Sequence, residues 1–512
     1  MTQRLKHTLL LVAVLAATSF VYAKLPTAYF CAYDDFLEVH RAAFEDTQEP
    51  KRVFTTTHFT SYKYRPLNRG LNLITYWAGS GDATEFRTRN VVCHLLNVVL
   101  IYVLAWLLFR SSFIGGTAAL LFGLHPLANH AVVGAVMTNT AAHSLFLILI
   151  VTFIISTRTQ RFTSYALLAV ALLCGWLSLL TYEAAIVTYP LLFLYLAIQF
   201  LATRKWPVSR AYTVALTLGG FFYLGLYYLI HTRYVPYSAT KAIPDLGTML
   251  KSTVMYTGAL LLPIDPVMAN TWFGTPLPSD IEVSSGSTVM RLLLAVGLVM
   301  IVAAVWLVVK FYRERLVSRS WPSQLFVAGC AVGAIAPLIV FTDKPSETYL
   351  YLTVAFAALL FSSVLVQLLG PRASSRGRLI FAVIVGLLAV SYGTATFVRN
   401  SRVARCGETA RQIVNSLEQD RFKNGIWFIW LAPAPGEPGS HRYGMYGWRG
   451  VDTVGPSAVE AAVQLANGNR YLAARVLTPG ELASGCKNSR DACFVVHADG
   501  KVDEVDRFSM QR

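Results

Sequence analysis

The chain has 512 residues, of which 55% are hydrophobic and only 14% charged, and its formal net charge is +16. Soluble proteins carry about 25% charged residues, so this composition excludes an ordinary soluble domain and points to an integral membrane protein. The excess of Lys and Arg is spread along the chain and forms no single soluble basic patch, which argues against nucleic acid as a partner.

A transmembrane helix needs about 20 largely apolar residues. Eleven runs come close to that: 7–23, 91–109, 112–125, 139–156, 164–181, 184–202, 211–231, 288–309, 323–341, 349–369 and 379–398. The first run is read as a retained span. Its competitor is a signal peptide, because MTQRLKH precedes the apolar stretch and the small-residue motif VYA precedes Lys24. A long loop follows at 24–90, with short helices expected near 34–46 and 67–78; the second, LNRGLNLITYWAG, is amphipathic enough to lie at an interface. The third run is short and ends at His125-Pro126, continuing irregularly toward His130. Residues 232–287 form a second inter-span segment, with an interfacial helix expected within PDLGTMLKSTVMYTGALLLPID.

The tail, 399–512, has ordinary soluble composition. It alternates a helix near 402–419, the apolar strand GIWFIWLA, a helix near 456–467 and the strand ACFVVHA. The expected architecture is therefore an all-α polytopic membrane domain of about eleven transmembrane helices, residues 1–398, followed by a small α/β extracytoplasmic unit, 399–512.

Alternate inter-span segments hold Arg110, Arg204, Lys205, Arg313, Arg315 and other basic residues against a single acid, Glu314. That is the positive-inside pattern. It puts the N-terminus in the cytosol and both the first loop and the tail on the outer face, which in a bacterial inner membrane is periplasmic. Cys93, Cys174 and Cys330 fall within spans as small apolar residues. Cys486 and Cys493 fall outside, where an oxidising compartment permits the disulfide expected between them.

The first loop opens with FCAYDDFLEVHR, and carboxylates beside hydrocarbon are costly unless paired, hydrated or used. The same loop holds His58, Lys63, Arg65 and Arg69. Other candidates share that face: His125 and His130 in HPLANH, Glu183 in LTYEAAI, and Lys344, Glu347, Tyr349 and Tyr351 in DKPSETYLYL. Acids beside cations at one bilayer surface suit chemistry on an anionic lipid, because a base can deprotonate an acceptor while cations stabilise a leaving phosphate. Arg suits phosphate through its planar fork. Structural readings compete at each position: an interface anchor for KYRP, a helix cap for the histidines, and an ion-pair partner for Glu183.

The order of these motifs, with YRPL at 64–67, HLLNVVL at 94–100, LFGLHPLANHAV at 121–132, YEAAIVTYP at 182–190 and SETYLYL at 346–352, resembles the membrane part of the transmembrane-and-TPR O-mannosyltransferases. Those enzymes belong to the GT-C glycosyltransferases. The resemblance covers about 30–370 and implies a GT-C fold and a polyprenyl-phosphate-linked sugar as donor, with membrane lipid around it. The acceptor hydroxyl could belong to a protein, a lipid or a glycan. The resemblance also implies that Asp34 or Asp35 is the base acting on the acceptor, with the other orienting it or holding a divalent metal, and that Arg65 contacts the donor phosphate. Lys63, Arg69 and His58 are added as phosphate ligands on chemistry alone. The chain departs from the family's pattern at His130, at Met137–Thr140, at Tyr182 and at Thr348–Thr353, and it carries no TPR repeats. The alternative is a polytopic lipid or glycan transporter, although transporters place ionisable residues and helix breaks at mid-membrane, often in two matching halves.

Overall fold

A computed structural model of the chain describes residues 3–31, 33–55, 64–234, 320–341, 350–369, 374–417, 426–431, 455–476, 492–496 and 501–504, with a few positions between 245 and 260. The expected run at 288–309 lies outside the described residues. The other ten runs all fall on helices. Eight of these are long and apolar enough to span a membrane: α1 (Gln3–Tyr22), α5 (Ala83–Phe109), α8 (Asn139–Ser156), α9 (Arg161–Thr181), α10 (Thr188–Thr203), α11 (Arg210–Tyr234), α13 (Tyr351–Leu369) and α14 (Ser375–Ser416). Two are shorter apolar helices within α6 (Ser112–Leu124) and α12 (Trp321–Phe341). The chain is a polytopic helical membrane protein.

Between the first two spans come α2 (Tyr33–Arg41), which runs into a π turn at Ala42–Asp46, then the single turn α3 (Arg52–Thr55) and α4 (Pro66–Gly79). Helix α4 starts with Pro66 at its first position, where the missing N–H costs nothing. It ends at Ser80 in the left-handed region, and Gly81 follows at φ 86°, so the chain reverses in two residues into α5. Asp82 caps α5 by accepting from the Thr84 N–H at 2.9 Å. Helix α6 packs on α1 through small residues: a Cβ on Gly116 would lie 2.5 Å from Leu10. A short helix, α7 (Pro126–Val133), then turns back into the bundle before α8 begins.

Helix α14 continues as one rod for 42 residues. At 1.5 Å per residue that is about 63 Å, twice the hydrocarbon thickness. The separate helix expected at 402–419 is therefore the distal third of α14, because no Pro or Gly-Gly pair interrupts SYGTATFVRNSRVARCGETARQIV. The C-terminal unit consists of β1 (Ile426–Leu431), α15 (Gly455–Ala466), β2 (Ala473–Val476), β3 (Ala492–Val496) and β4 (Val502–Glu504). Its sheet order is β2-β1-β3-β4; β1 pairs in parallel with β2 and β3, and β4 runs antiparallel to β3. Cys493 is disulfide-bonded and the five other described cysteines are free, while Cys486 lies outside the described residues.

Two cores result. The large one lies among the membrane helices. The smaller joins Phe36, Leu37 and Val39 of α2 to Ile413 and Val414 of α14, Trp427 and Ile429 of β1, and Val459, Ala462 and Val463 of α15. The helix carrying the acid pair is thus packed against the C-terminal unit.

Candidate active site

Asp34 and Asp35 occupy the first turn of α2, where the helix dipole favours acids. They face different surroundings. Asp34 is half-buried. Asp35 is only 1% exposed, and each of its oxygens accepts a backbone N–H: Oδ2 from Cys31 at 3.2 Å and Oδ1 from Val136 at 3.3 Å. Its cation is Arg87, 3.9 Å away and completely buried.

Arg87 was not among the residues the sequence singled out, yet it organises the site. It donates to the Ala28 carbonyl at 2.7 Å, to the Tyr29 carbonyl at 2.7 Å, to the Val133 carbonyl and to the Cys31 sulfur at 3.4 Å. One guanidinium thus holds the segment before α2 against the end of α7, with Asp35 between them. Burial pushes the Cys31 thiol up to about 12, although the Arg87 charge opposes it.

The turn joining α7 to α8 is held in the same way. Asn90 donates to the carbonyls of Gly134 at 2.6 Å and Ala135 at 3.2 Å. Arg89 reaches Ala135 at 2.9 Å, Asn72 of α4 reaches Val136 at 3.1 Å, and Asn97 reaches Thr140 at 2.9 Å. A polar seam therefore runs down one side of α5. Arg87, Asn90, His94 and Asn97 are all fully buried, at spacings of three, four and three, which is one helix face. That periodic polar set inside an apolar run was the signal in the sequence, and span counting passes over it.

Tyr351 joins the lower end of this seam. Its hydroxyl lies 2.7 Å from His94 Nδ1 and accepts from Asn97 at 3.0 Å, and its ring stacks on His143 at 4.8 Å. His143, also missed in the sequence, meets the ring of Tyr182 edge-on at 6.1 Å. Above that same ring lies the Arg65 guanidinium, 4.9 Å from its centre. Arg65 stands at the start of α4, and Tyr182 precedes the 3-10 turn Glu183–Val187, so these contacts tie the first loop to the α9–α10 junction.

The remaining candidates separate. The Arg69 guanidinium is buried in an ion pair with Asp46 and donates to the Arg52 carbonyl at 3.1 Å, so it holds the first loop together from inside. Burial raises the Asp46 carboxyl, with Arg69 pulling the other way. His125 caps α7, its Nδ1 accepting the Leu127 N–H at 3.2 Å, and its ring packs on Tyr392 at 4.6 Å. His130 is half-buried in the last turn of α7. Arg399 of α14 donates to the Pro126 carbonyl, and Asn129 pairs with Asn400 at 2.7 Å, fixing α7 against the long helix. His58, Lys63, Lys344, Glu347 and Tyr349 lie outside the described residues, as does the Glu183 side chain.

Each Asp35 oxygen accepts a backbone N–H and Arg87 lies 3.9 Å away, and no group of three His, Cys, Asp or Glu that could hold a metal ion occurs among the described residues.

No protein-family model matches the sequence, and no curated protein matches it significantly. Solved structures do. The apo crystal structure of an oligosaccharyltransferase from Archaeoglobus fulgidus is 13% identical over 80% of this chain and 57% of its own, with a TM-score of 0.51. This chain spans little more than half of that enzyme's length. Apo ArnT from Cupriavidus metallidurans is 14% identical over 97% of this chain and 93% of its own, at a TM-score of 0.45. Arabinofuranosyltransferase AftD from Mycobacteria is 13% identical, covering 93% and 32%, also at 0.45. In its arrangement of helices the chain shares the polytopic fold of the archaeal oligosaccharyltransferase.

Proposed function

We propose that this chain is a membrane glycosyltransferase that moves a sugar from a polyprenyl-phosphate carrier to an acceptor hydroxyl. The observation that carries this reading is the unequal pair on α2. Asp35 is fixed by two backbone N–H groups and Arg87, and it orients the turn from which half-buried Asp34 projects. A fixed neighbour and a more open carboxylate suit a base that must meet an incoming hydroxyl. The fold shared with the archaeal oligosaccharyltransferase supports the same reading.

In this mechanism Asp34 takes the proton from the acceptor hydroxyl as its oxygen attacks the anomeric carbon. The bond from that carbon to the phosphate oxygen breaks, the configuration inverts, and polyprenyl phosphate leaves as an anion. Arg65, braced on Tyr182, contacts that phosphate, with Lys63 and His58 as further ligands from the same loop. Asp35 is a positioning residue. We place the reaction on the outer face of a bacterial inner membrane because of the charge bias between loops.

The test is transfer from polyprenyl-phosphate sugars by the purified full chain in detergent. Asp34→Asn should keep donor binding and slow transfer by about 10²–10⁴-fold. Wild-type transfer in both Asp34→Asn and Asp35→Asn would overturn the mechanism.

A further inference from the structure

Two arginines stand two residues apart on α5, and among the described residues only one of them faces a carboxylate. Arg87 is fully buried and faces Asp35. Arg89 is half-buried, and no carboxylate lies within ion-pair range of it among the described residues. Its guanidinium lies over the Phe86 ring, 5.5 Å from its centre, and its N–H groups meet neutral acceptors. Nε donates to Asn90 Oδ1 at 3.2 Å, Nη1 to Asn72 Oδ1 at 2.9 Å and to Thr75 Oγ1 at 3.0 Å, and Nη2 to the Ala135 carbonyl at 2.9 Å. A guanidinium has five N–H groups, so one on Nη2 remains.

Surface arginines carry their charge into water on a flexible stem. Arg89 cannot do so, because four hydrogen bonds fix its plane. A half-buried charge with no counter-ion among the described residues is costly, and a fixed fork with an unused N–H is a geometry that can receive an oxyanion. Ala135, which anchors it, is followed by Val136, whose N–H holds Asp35. An anion on Arg89 would therefore sit on the same turn that positions the acid pair.

We propose that Arg89 binds a phosphate group, and that the phosphate is the headgroup of the lipid donor. This rests on the glycosyltransferase reading. A purely structural Arg89 would serve only to hold the α7–α8 turn through the Ala135 carbonyl.

Binding of farnesyl phosphate, farnesol and inorganic phosphate to the purified full chain in neutral detergent separates these roles. Thr75→Asp is the decisive variant. It is nearly equal in volume, keeps Arg89 and its other bonds, and puts a carboxylate where Thr75 Oγ1 now accepts. Farnesyl phosphate affinity should fall by about ten- to a hundredfold, farnesol binding should not change, and the thermal midpoint should hold or rise. Arg89→Lys should keep part of the phosphate affinity and Arg89→Gln should lose it. Inorganic phosphate binding as tightly as farnesyl phosphate would assign the site to free anion and overturn the lipid assignment, whereas much weaker binding supports the headgroup. Wild-type affinity in both Thr75→Asp and Arg89→Gln, with transfer intact in the unmodified chain, would overturn the Arg89 site alone. A wild-type chain that does not distinguish farnesyl phosphate from farnesol would overturn the glycosyltransferase reading with it.

Discussion

Helix α2 is held on two sides by different forces. On one side Asp35 meets Arg87, Cys31 and Val136 through directional hydrogen bonds in a buried polar seam. On the other, Phe36, Leu37 and Val39 share a buried apolar core with residues of α14, α15 and β1. Apolar packing is non-directional and follows area, so it fixes where the helix sits and tolerates small rotations. The seam fixes which way the carboxylates turn. Damage to the first should abolish geometry at once, and damage to the second should erode it.

The largest effect should come from the seam. Arg87→Met preserves length and apolar contact but removes the cation beside Asp35 and the donors to the Ala28, Tyr29 and Val133 carbonyls. Breaking one partner of a buried pair costs about 3–5 kcal/mol. A large fall in the thermal midpoint in detergent is expected, with no transfer activity in the protein that survives. A midpoint unchanged from wild type would dissolve the distinction between the two sides.

On the apolar side Phe36→Ala should cost about 3 kcal/mol, the low end for a buried Phe, because two units meeting there can close on each other. Thermal unfolding would show the loss, and residual activity should scale with the folded fraction. Activity lost in protein that stays fully folded would mean that the apolar side also sets orientation.

How much of this was legible in the sequence follows from the same two forces. Hydrophobic runs announce spans by composition, so α5, α8 and α13 fell close to the expected 91–109, 139–156 and 349–369. The helix expected at 67–78 is α4, Pro66–Gly79. The acid pair was visible because two carboxylates beside hydrocarbon are conspicuous. Its partner Arg87 was not, because it lies at the head of α5, 52 residues beyond Asp35, and only the fold brings them together. Arg69 looked like an equal member of the basic cluster, and only the structure reveals that Asp46 takes its charge. Conspicuous residues are found by type, whereas residues that matter through a distant partner need the fold.

A smaller effect should sharpen the comparison at the point where the two sides touch. Gly407 of α14 passes so close to the segment before α2 that a Cβ there would lie 2.7 Å from the Tyr29 nitrogen and 2.9 Å from its carbonyl oxygen. Those are backbone atoms and cannot swing away, and the Tyr29 carbonyl is one of the acceptors of Arg87. Gly407→Ala should cost about 1–3 kcal/mol as an overpacked contact. Because the added methyl pushes on the Arg87 anchor, kcat should fall further than KM rises. An equal change in both would place Gly407 on the packing side only.

The smallest effect is one of pH, and it belongs to the apolar side. His40 of α2 packs its ring 4.8 Å from Phe44, and burial lowers its pKa below 6.5. Gln464, Glu45 and Glu460 favour the protonated form, while Arg41 works with burial against it. With the folded value below the unfolded one, the unfolded chain binds more protons in the interval between them, so stability rises with pH there. The contribution is complete above the unfolded value near 6.5 and is lost as pH falls through the folded one. Thermal midpoints measured from pH 7 down to pH 5 should therefore decline, and His40→Gln, which cannot titrate, should flatten that slope. An identical slope in His40→Gln would remove His40 as its source and leave the α2–α15 contact indifferent to pH in this range.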